Sequence, residues 1–110
     1  MVRRSFTAVL ERNAVLNGNF ETEPYEAGWA SEARFFIRIL EIDSTQSSLI
    51  VVPQISPDGL IWCDYGPDSY RMQKTGLYSF LVTGFGQWLR LRGNSGGGGV
   101  KVMIYLALKE

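Results

Sequence analysis

Alternation of hydrophobic and polar residues runs along most of the chain. It is clearest at residues 100–108, where valines, isoleucine and leucines alternate with Lys101, Met103, Tyr105 and Ala107. Residues 34–42 (RFFIRILEI) alternate as well, but are apolar on both faces. A period of two places successive side chains on opposite faces of a strand. Both runs therefore predict β-strands, and the two-sided run predicts a strand in the centre of a sheet.

Shorter runs of the same kind predict the remaining strands. They lie at residues 5–11, 49–55, 60–65, 69–73, 77–82 and 87–92. Turn residues separate these runs, and no helix of ordinary length is predicted. The pattern is that of an all-β protein, an antiparallel β-sandwich or jelly roll of about seven to eight strands. With 110 residues, the chain is expected to form a single sandwich domain over residues 1–110.

Proline and glycine indicate where strands turn or end. Ser56-Pro57-Asp58-Gly59 predicts the turn of a hairpin. Pro53 cannot donate a hydrogen bond to a neighbouring strand, which predicts a sheet edge or a bulge at this position. Four consecutive glycines at residues 96–99 precede a strand and lack the lysine of a phosphate-binding loop, so they predict a flexible hairpin tip.

The stretch from Asn13 to Ser31 has no clear strand pattern. It is expected to be a long loop, either functional or a flap that covers the core. Its acids Glu21, Glu23 and Glu26 could serve a calcium site or a glycosidase pair, although no metal-binding spacing is present. A solvated acidic loop explains the same residues.

Composition narrows the classes of function. Eleven basic and eleven acidic residues cancel, so there is no basic field to favour nucleic acid as a partner. The chain has no histidine and one cysteine, Cys63, which removes the common zinc and general-base constellations and any intrachain disulfide. We therefore expect a protein that is not an enzyme and has no catalytic residues, no metal and no cofactor. Cys63 ends an apolar run and is expected to be a buried structural thiol.

Charge and the N-terminal residues also bear on partners and location. Zero net charge gives little repulsion between copies, which permits a homo-oligomer. No secretion signal and no membrane span are visible in the sequence. A virion or cytoplasmic location is therefore expected in preference to disulfide-dependent secretion.

Two motifs carry a resemblance to known families. They are residues 54–62 (QISPDGLIW) and residues 83–92 (TGFGQWLRLR). In this order they look like signatures of discoidin-like, galactose-binding-like β-sandwiches, although the chain is shorter and lacks the terminal cysteine pair of those domains. In length the chain more closely resembles small bacterial and phage virion-associated proteins, such as tail or capsid-decoration domains. The resemblance covers roughly residues 34–108, mainly turn and core residues, and implies a sandwich fold.

Two functions remain open. The first is a structural or assembly protein, an oligomeric sandwich that decorates or builds a larger particle such as a phage virion or a bacterial shell. The second is a carbohydrate-binding module, in which exposed aromatic rings stack on a glycan and arginines hydrogen-bond its hydroxyl groups. The candidate residues for binding a partner or a glycan are Tyr25, Trp29, Tyr65, Tyr70, Arg90 and Arg92. The aromatic candidates could instead close the ends of the core.

Overall fold

A computed structural model describes residues 3–43 and 46–110. The strands are β1 (Ser5–Glu21), β2 (Tyr25–Glu26), β3 (Glu32–Ile42), β4 (Ser48–Ser56), β5 (Cys63–Asp64), β6 (Tyr70–Met72), β7 (Gly76–Thr83) and β8 (Trp88–Lys109). In these residues the strands form one antiparallel sheet, and no helix is present. The predicted all-β antiparallel fold with seven to eight strands is confirmed.

The long strand β8 organises the sheet. β1 and then β2 pair along one side of it, while β3 and then β4 pair along the other. Beyond these, β7 pairs with β3, and the short strands β5 and β6 pair with β4. A flat strand of 22 residues would span roughly 73 Å, whereas the longest dimension of the molecule is 47 Å. β8 therefore bends, and the curled sheet folds into two facing layers.

The bend lies at the glycine-rich residues 96–99. Gly97 and Gly98 have φ angles of 80° and 137°, which other residues rarely adopt. A Cβ on Gly97 would lie 2.4 Å from the carbonyl oxygen of Gln46, in the connection between β3 and β4. The prediction of a hairpin tip is therefore wrong. The glycines lie inside β8, because only residues without a side chain leave room there for the connection between β3 and β4.

Residues 13–31 are mostly strand, so the prediction of a long loop is wrong as well. β1 continues to Glu21, with three register shifts against β8 on the way. Asn13 lies within one of them and has a φ of 51°. Each shift inserts extra residues and interrupts the period of two, which is why the sequence pattern hid this strand.

β4 is an interior strand, so the predicted sheet edge at Pro53 is wrong. On the side away from β8, pairing with β6 ends at Val51 and pairing with β5 begins at Gln54. Pro53 lies between them, and its carbonyl accepts the N–H of Tyr65 at 2.8 Å. The proline is tolerated because its missing N–H falls where one short partner strand ends and the next begins.

The hairpin predicted at residues 56–59 is confirmed, since Ile55 pairs with Cys63. Its second strand is only the two residues of β5, because the apolar residues before it belong to the turn. Cys63 is consequently exposed, and the prediction of a buried thiol is wrong.

The core fills the space between the two layers. Phe35 and Ile37 of β3 and Leu89 and Leu91 of β8 are fully buried, as the alternation predicted. Phe80 of β7 joins the layers, because its ring contacts Phe35 at 5.6 Å between centroids and stacks on Tyr70 of β6 at 4.1 Å. A membrane-spanning helix is not found among the residues described.

Candidate partner-binding surface

The connection from β4 to β5 is a tightly hydrogen-bonded turn. Ser56 Oγ accepts the N–H groups of Asp58 and Gly59 at 3.2 and 2.8 Å. Asp58 Oδ1 accepts those of Leu60 and Ile61 at 2.9 and 3.1 Å. The bond from Leu60, then that from Ile61, and a further bond from the Ser56 hydroxyl hold the pKa of the Asp58 carboxyl below its usual value. The backbone of the turn is thus fixed by polar contacts.

Leu60 and Ile61 project from this turn into solvent. They are 81% and 76% exposed, the highest values among the large hydrophobic side chains described. Their amides are held by Asp58, so the backbone cannot turn these side chains inward without breaking both hydrogen bonds. Single exposed hydrophobic side chains are common, but two adjacent ones on a rigid tip form an apolar contact point.

The turn lies across the outer face of the first part of β8. Gly59 packs on the indole of Trp88, where a Cβ would come within 3.1 Å of the ring. Farther along, the guanidinium of Arg90 stacks on Trp62, 4.3 Å from the ring centroid. Trp88 and Arg90 alternate along β8 and share its outer face. The contacts with Trp88 and Arg90 hold the turn close to the sheet.

A network of polar side chains continues from the turn. Arg90 forms an ion pair with Glu21 at 2.5 Å and donates from Nε to Gln54 at 2.8 Å. Gln54 in turn donates to Asp64 at 2.9 Å, and Arg92 donates to both oxygens of Asp64 at 3.1 Å. Arg92 is the main cause of the lowered pKa of Asp64. Leu60, Ile61, Trp62 and this network form one continuous surface, which we call the turn surface.

Tyr25 and Trp29 lie together in a second place. Tyr25 stacks on Phe6 of β1 with 6.2 Å between centroids, and the guanidinium of Arg4 lies 4.4 Å from the centroid of Trp29. With Ser5 these residues line an open depression of about 410 Å³. Three aromatic rings and a cation therefore line this site.

Tyr65 and Tyr70 contact β7. The hydroxyl of Tyr65 accepts the N–H of Thr83 at 3.2 Å, and Tyr70 stacks on Phe80. The six predicted site residues thus fall in three places: Arg90 and Arg92 at the turn surface, Tyr25 and Trp29 at the depression, and the two tyrosines beside β7. Their role as a binding set stays a prediction.

The acids predicted in the loop have separate partners. Glu21 pairs with Arg90, and Glu26 accepts the N–H of Gly28 at 3.0 Å. Glu23 lies near Glu11, whose pKa is raised mainly by partial burial and further by the charge of Glu23. In the described ranges no three acidic or cysteine side chains come together as a metal site would require.

Sequence reasoning placed Arg90 and Arg92 on one exposed face but did not single out Leu60 and Ile61. Those two residues were included in a strand because they are apolar and follow a turn. The available signal was Asp58, since an aspartate in a turn often binds backbone N–H groups two or three residues ahead.

The fold and this surface define a class of protein: a small curled all-β sandwich with an apolar turn on one outer face. A search of solved structures finds this fold in the crystal structure of the PBSX exported protein XepA. The match covers 94% of this chain with a TM-score of 0.70 and 13% sequence identity, which shows the fold alone. The chain corresponds to 36% of the XepA chain, so it spans about a third of that protein. No protein-family model matches the chain, and a search of curated proteins finds no match.

Proposed function

We propose that this protein is a non-enzymatic structural component that decorates or builds a larger particle, such as a phage virion, and that the turn surface is one of its contacts. The observation that carries the proposal is the exposure of Leu60 and Ile61 on a turn pinned by hydrogen bonds. A rigid apolar tip binds a partner with little loss of conformational freedom. The arginine network around it resembles the polar rim of a protein interface.

The comparison supports the same function. The protein with the matching fold is a phage PBSX exported protein, and the matched region makes up 36% of its chain. A domain of this shape therefore occurs within a larger phage protein. Zero net charge also lowers the electrostatic cost of bringing copies together.

The test is the solution mass by light scattering over a concentration series. We expect a multiple of the 12.4 kDa chain mass. The double variant Leu60→Ser/Ile61→Ser should show a smaller multiple, since it removes the apolar tip without touching Asp58 or the core.

The matched control is Val15→Ser, which changes a side chain that is 65% exposed on β1, away from the turn. Its mass should equal that of the unchanged protein. A protein that stays at one chain mass at every concentration, with or without the substitutions, would contradict the proposal.

Glycan binding is the second candidate, and the depression at Tyr25 and Trp29 favours it. Aromatic rings stack on sugar faces, and Arg4 could donate hydrogen bonds to hydroxyl groups. A glycan array tests this function, with Trp29→Ala as the variant that should lose any signal. A blank array would remove the candidate.

A further inference from the structure

β7 forms one edge of the sheet. It pairs with β3 on one side, and in the described part of the chain no strand pairs with its other side. The strand has eight residues, GLYSFLVT, none of them charged and none a proline. Its pairing with β3 runs from Gly76 to Thr83 without a register shift. An edge with these properties is a template for another strand.

The other outer strands carry the features by which proteins protect an edge. β1 is long, but three register shifts interrupt it, and it carries charged side chains at Glu11 and Arg12. β2, β5 and β6 have only two or three residues. Bulges, charges and short length all discourage pairing with another chain. Among the outer strands described, β7 alone lacks these features.

The free side of β7 can be assigned residue by residue. The N–H of Thr83 donates to the hydroxyl of Tyr65, so it points away from β3. Backbone N–H and C=O groups alternate between the two sides of an antiparallel strand. Those of Leu77, Ser79 and Leu81 therefore also point away from β3. All three side chains are exposed, Leu77 at 63% and Leu81 at 44%.

We propose that β7 pairs antiparallel with β7 of a second copy, about a two-fold axis at Ser79. The strand is nearly palindromic about this residue. Leu77 would lie opposite Leu81 of the second copy, and Tyr78 opposite its Phe80. From residue 77 to residue 81 each position thus meets one of its own kind with no like charges opposed, as a symmetric interface requires.

The pairing would join two sheets into one. The outward groups of Leu77, Ser79 and Leu81 would form about six backbone hydrogen bonds between the copies. Because the two-fold axis is perpendicular to the sheet, the exposed leucines of both copies would lie side by side on the outer face. This interface deepens the assembly function proposed above and rests on it.

Cysteine cross-linking tests the register, in a Cys63→Ser background that removes the exposed native thiol. Opposed residues of a hydrogen-bonded pair have Cα atoms about 5.5 Å apart, within the range of a disulfide. Ser79→Cys should therefore give a disulfide-linked dimer under mild oxidation.

Leu77→Cys is the matched control, since its copy would lie four residues away, roughly 14 Å along the strand. It should remain monomeric on a non-reducing gel. Mixing the Leu77→Cys protein with a Leu81→Cys protein should restore the cross-link.

Charge at the edge gives a second, independent test. Leu81→Lys should lower the mass measured by light scattering, because lysine on an edge strand opposes pairing. Val9→Lys adds the same charge to the outer face at a side chain of similar exposure, 40%, but on β1. It should leave the mass unchanged.

The outcomes separate this interface from the assembly function. If Ser79→Cys and Leu77→Cys cross-link equally, or neither does, while the protein still has a multiple of the chain mass, β7 pairing is wrong and assembly uses another surface. If the protein has a single chain mass at every concentration and no variant cross-links, both proposals fail.

Discussion

Two glycines of this chain share a backbone conformation but differ in their surroundings. Gly18 and Gly97 have φ angles of 85° and 80°. Nothing lies within 4 Å of a Cβ built on Gly18, whereas one on Gly97 would meet the Gln46 carbonyl oxygen at 2.4 Å. The pair separates the effect of backbone strain from that of crowding at the bend of β8.

We expect Gly18→Ala to lower the free energy of unfolding by about 1 kcal/mol, from backbone strain alone. Gly97→Ala should lower it by about 3 kcal/mol, because a steric clash adds to the same strain. Urea unfolding of the two variants measures both values. Equal losses would mean that the connection at Gln46 yields easily and that crowding does not shape the bend.

Asp58 makes the turn surface sensitive to acid. Its pKa is lowered in the folded protein, so its contribution to stability is complete above the ordinary aspartate value of about 4 and is lost as the pH falls through the lowered value. Asp58→Asn does not titrate, and its side-chain oxygen can still accept the N–H groups of Leu60 and Ile61. On acidification the unchanged protein should therefore lose more stability than Asp58→Asn does.

Thermal unfolding of both proteins at neutral pH and at about pH 3 measures this shift. A difference that does not change with pH would show that the carboxylate charge has no part in holding the turn.

At the scale of the elements, β6 and β7 are held together across the core by ring contacts. Phe80 is buried between Phe35 and Tyr70, which belong to strands in different layers. β6 has three residues and pairs with β4 alone in the residues described. Its position opposite β7 therefore depends on the stacking of Tyr70 on Phe80.

Phe80→Ala should lower the free energy of unfolding by about 4 kcal/mol, since it removes a buried ring from both contacts. Tyr70→Ala should cost less, because Tyr70 is only partly buried. In a double-mutant cycle the two changes should couple by about 1 kcal/mol, the size of a stacked aromatic pair. Strictly additive losses would contradict a direct stacking contribution.

At the scale of the whole molecule, the two layers share their longest strands. β1 and β8 run through both layers, and the first described strand pairs with the last along most of its length. Each layer therefore contains parts of strands that continue into the other layer. The domain should therefore unfold as one cooperative unit.

We expect tryptophan fluorescence and far-ultraviolet circular dichroism to give the same midpoint of denaturation. In a Trp29→Phe background the two remaining tryptophans, Trp62 and Trp88, both report on the layer that contains β4 and the first part of β8. A fluorescence transition at lower denaturant than the dichroism transition would show that this layer opens by itself.

The local sequence pattern was enough to predict those parts of the candidate site that lie on a single strand. Trp88, Arg90 and Arg92 were predicted to share a face, and they do, because alternation within a strand is a property of neighbouring residues. The exposure of Leu60 and Ile61 was not predicted. It follows from local hydrogen bonds to Asp58, which make residues 60 and 61 part of the turn although their apolar pattern is that of a strand.

The sequence by itself determined the all-β class, the central position of β3, the buried faces of β3 and β8, and the hairpin after β4. Each of these follows from side-chain period or turn chemistry within a few residues. Only the tertiary structure decided that residues 96–99 lie inside a strand, that β1 continues through its register shifts, and that Pro53 is interior. These features depend on contacts between segments far apart in the chain, such as Gln46 with Gly97. Such contacts do not change the alternation of apolar and polar residues in either segment, so the sequence pattern does not show them.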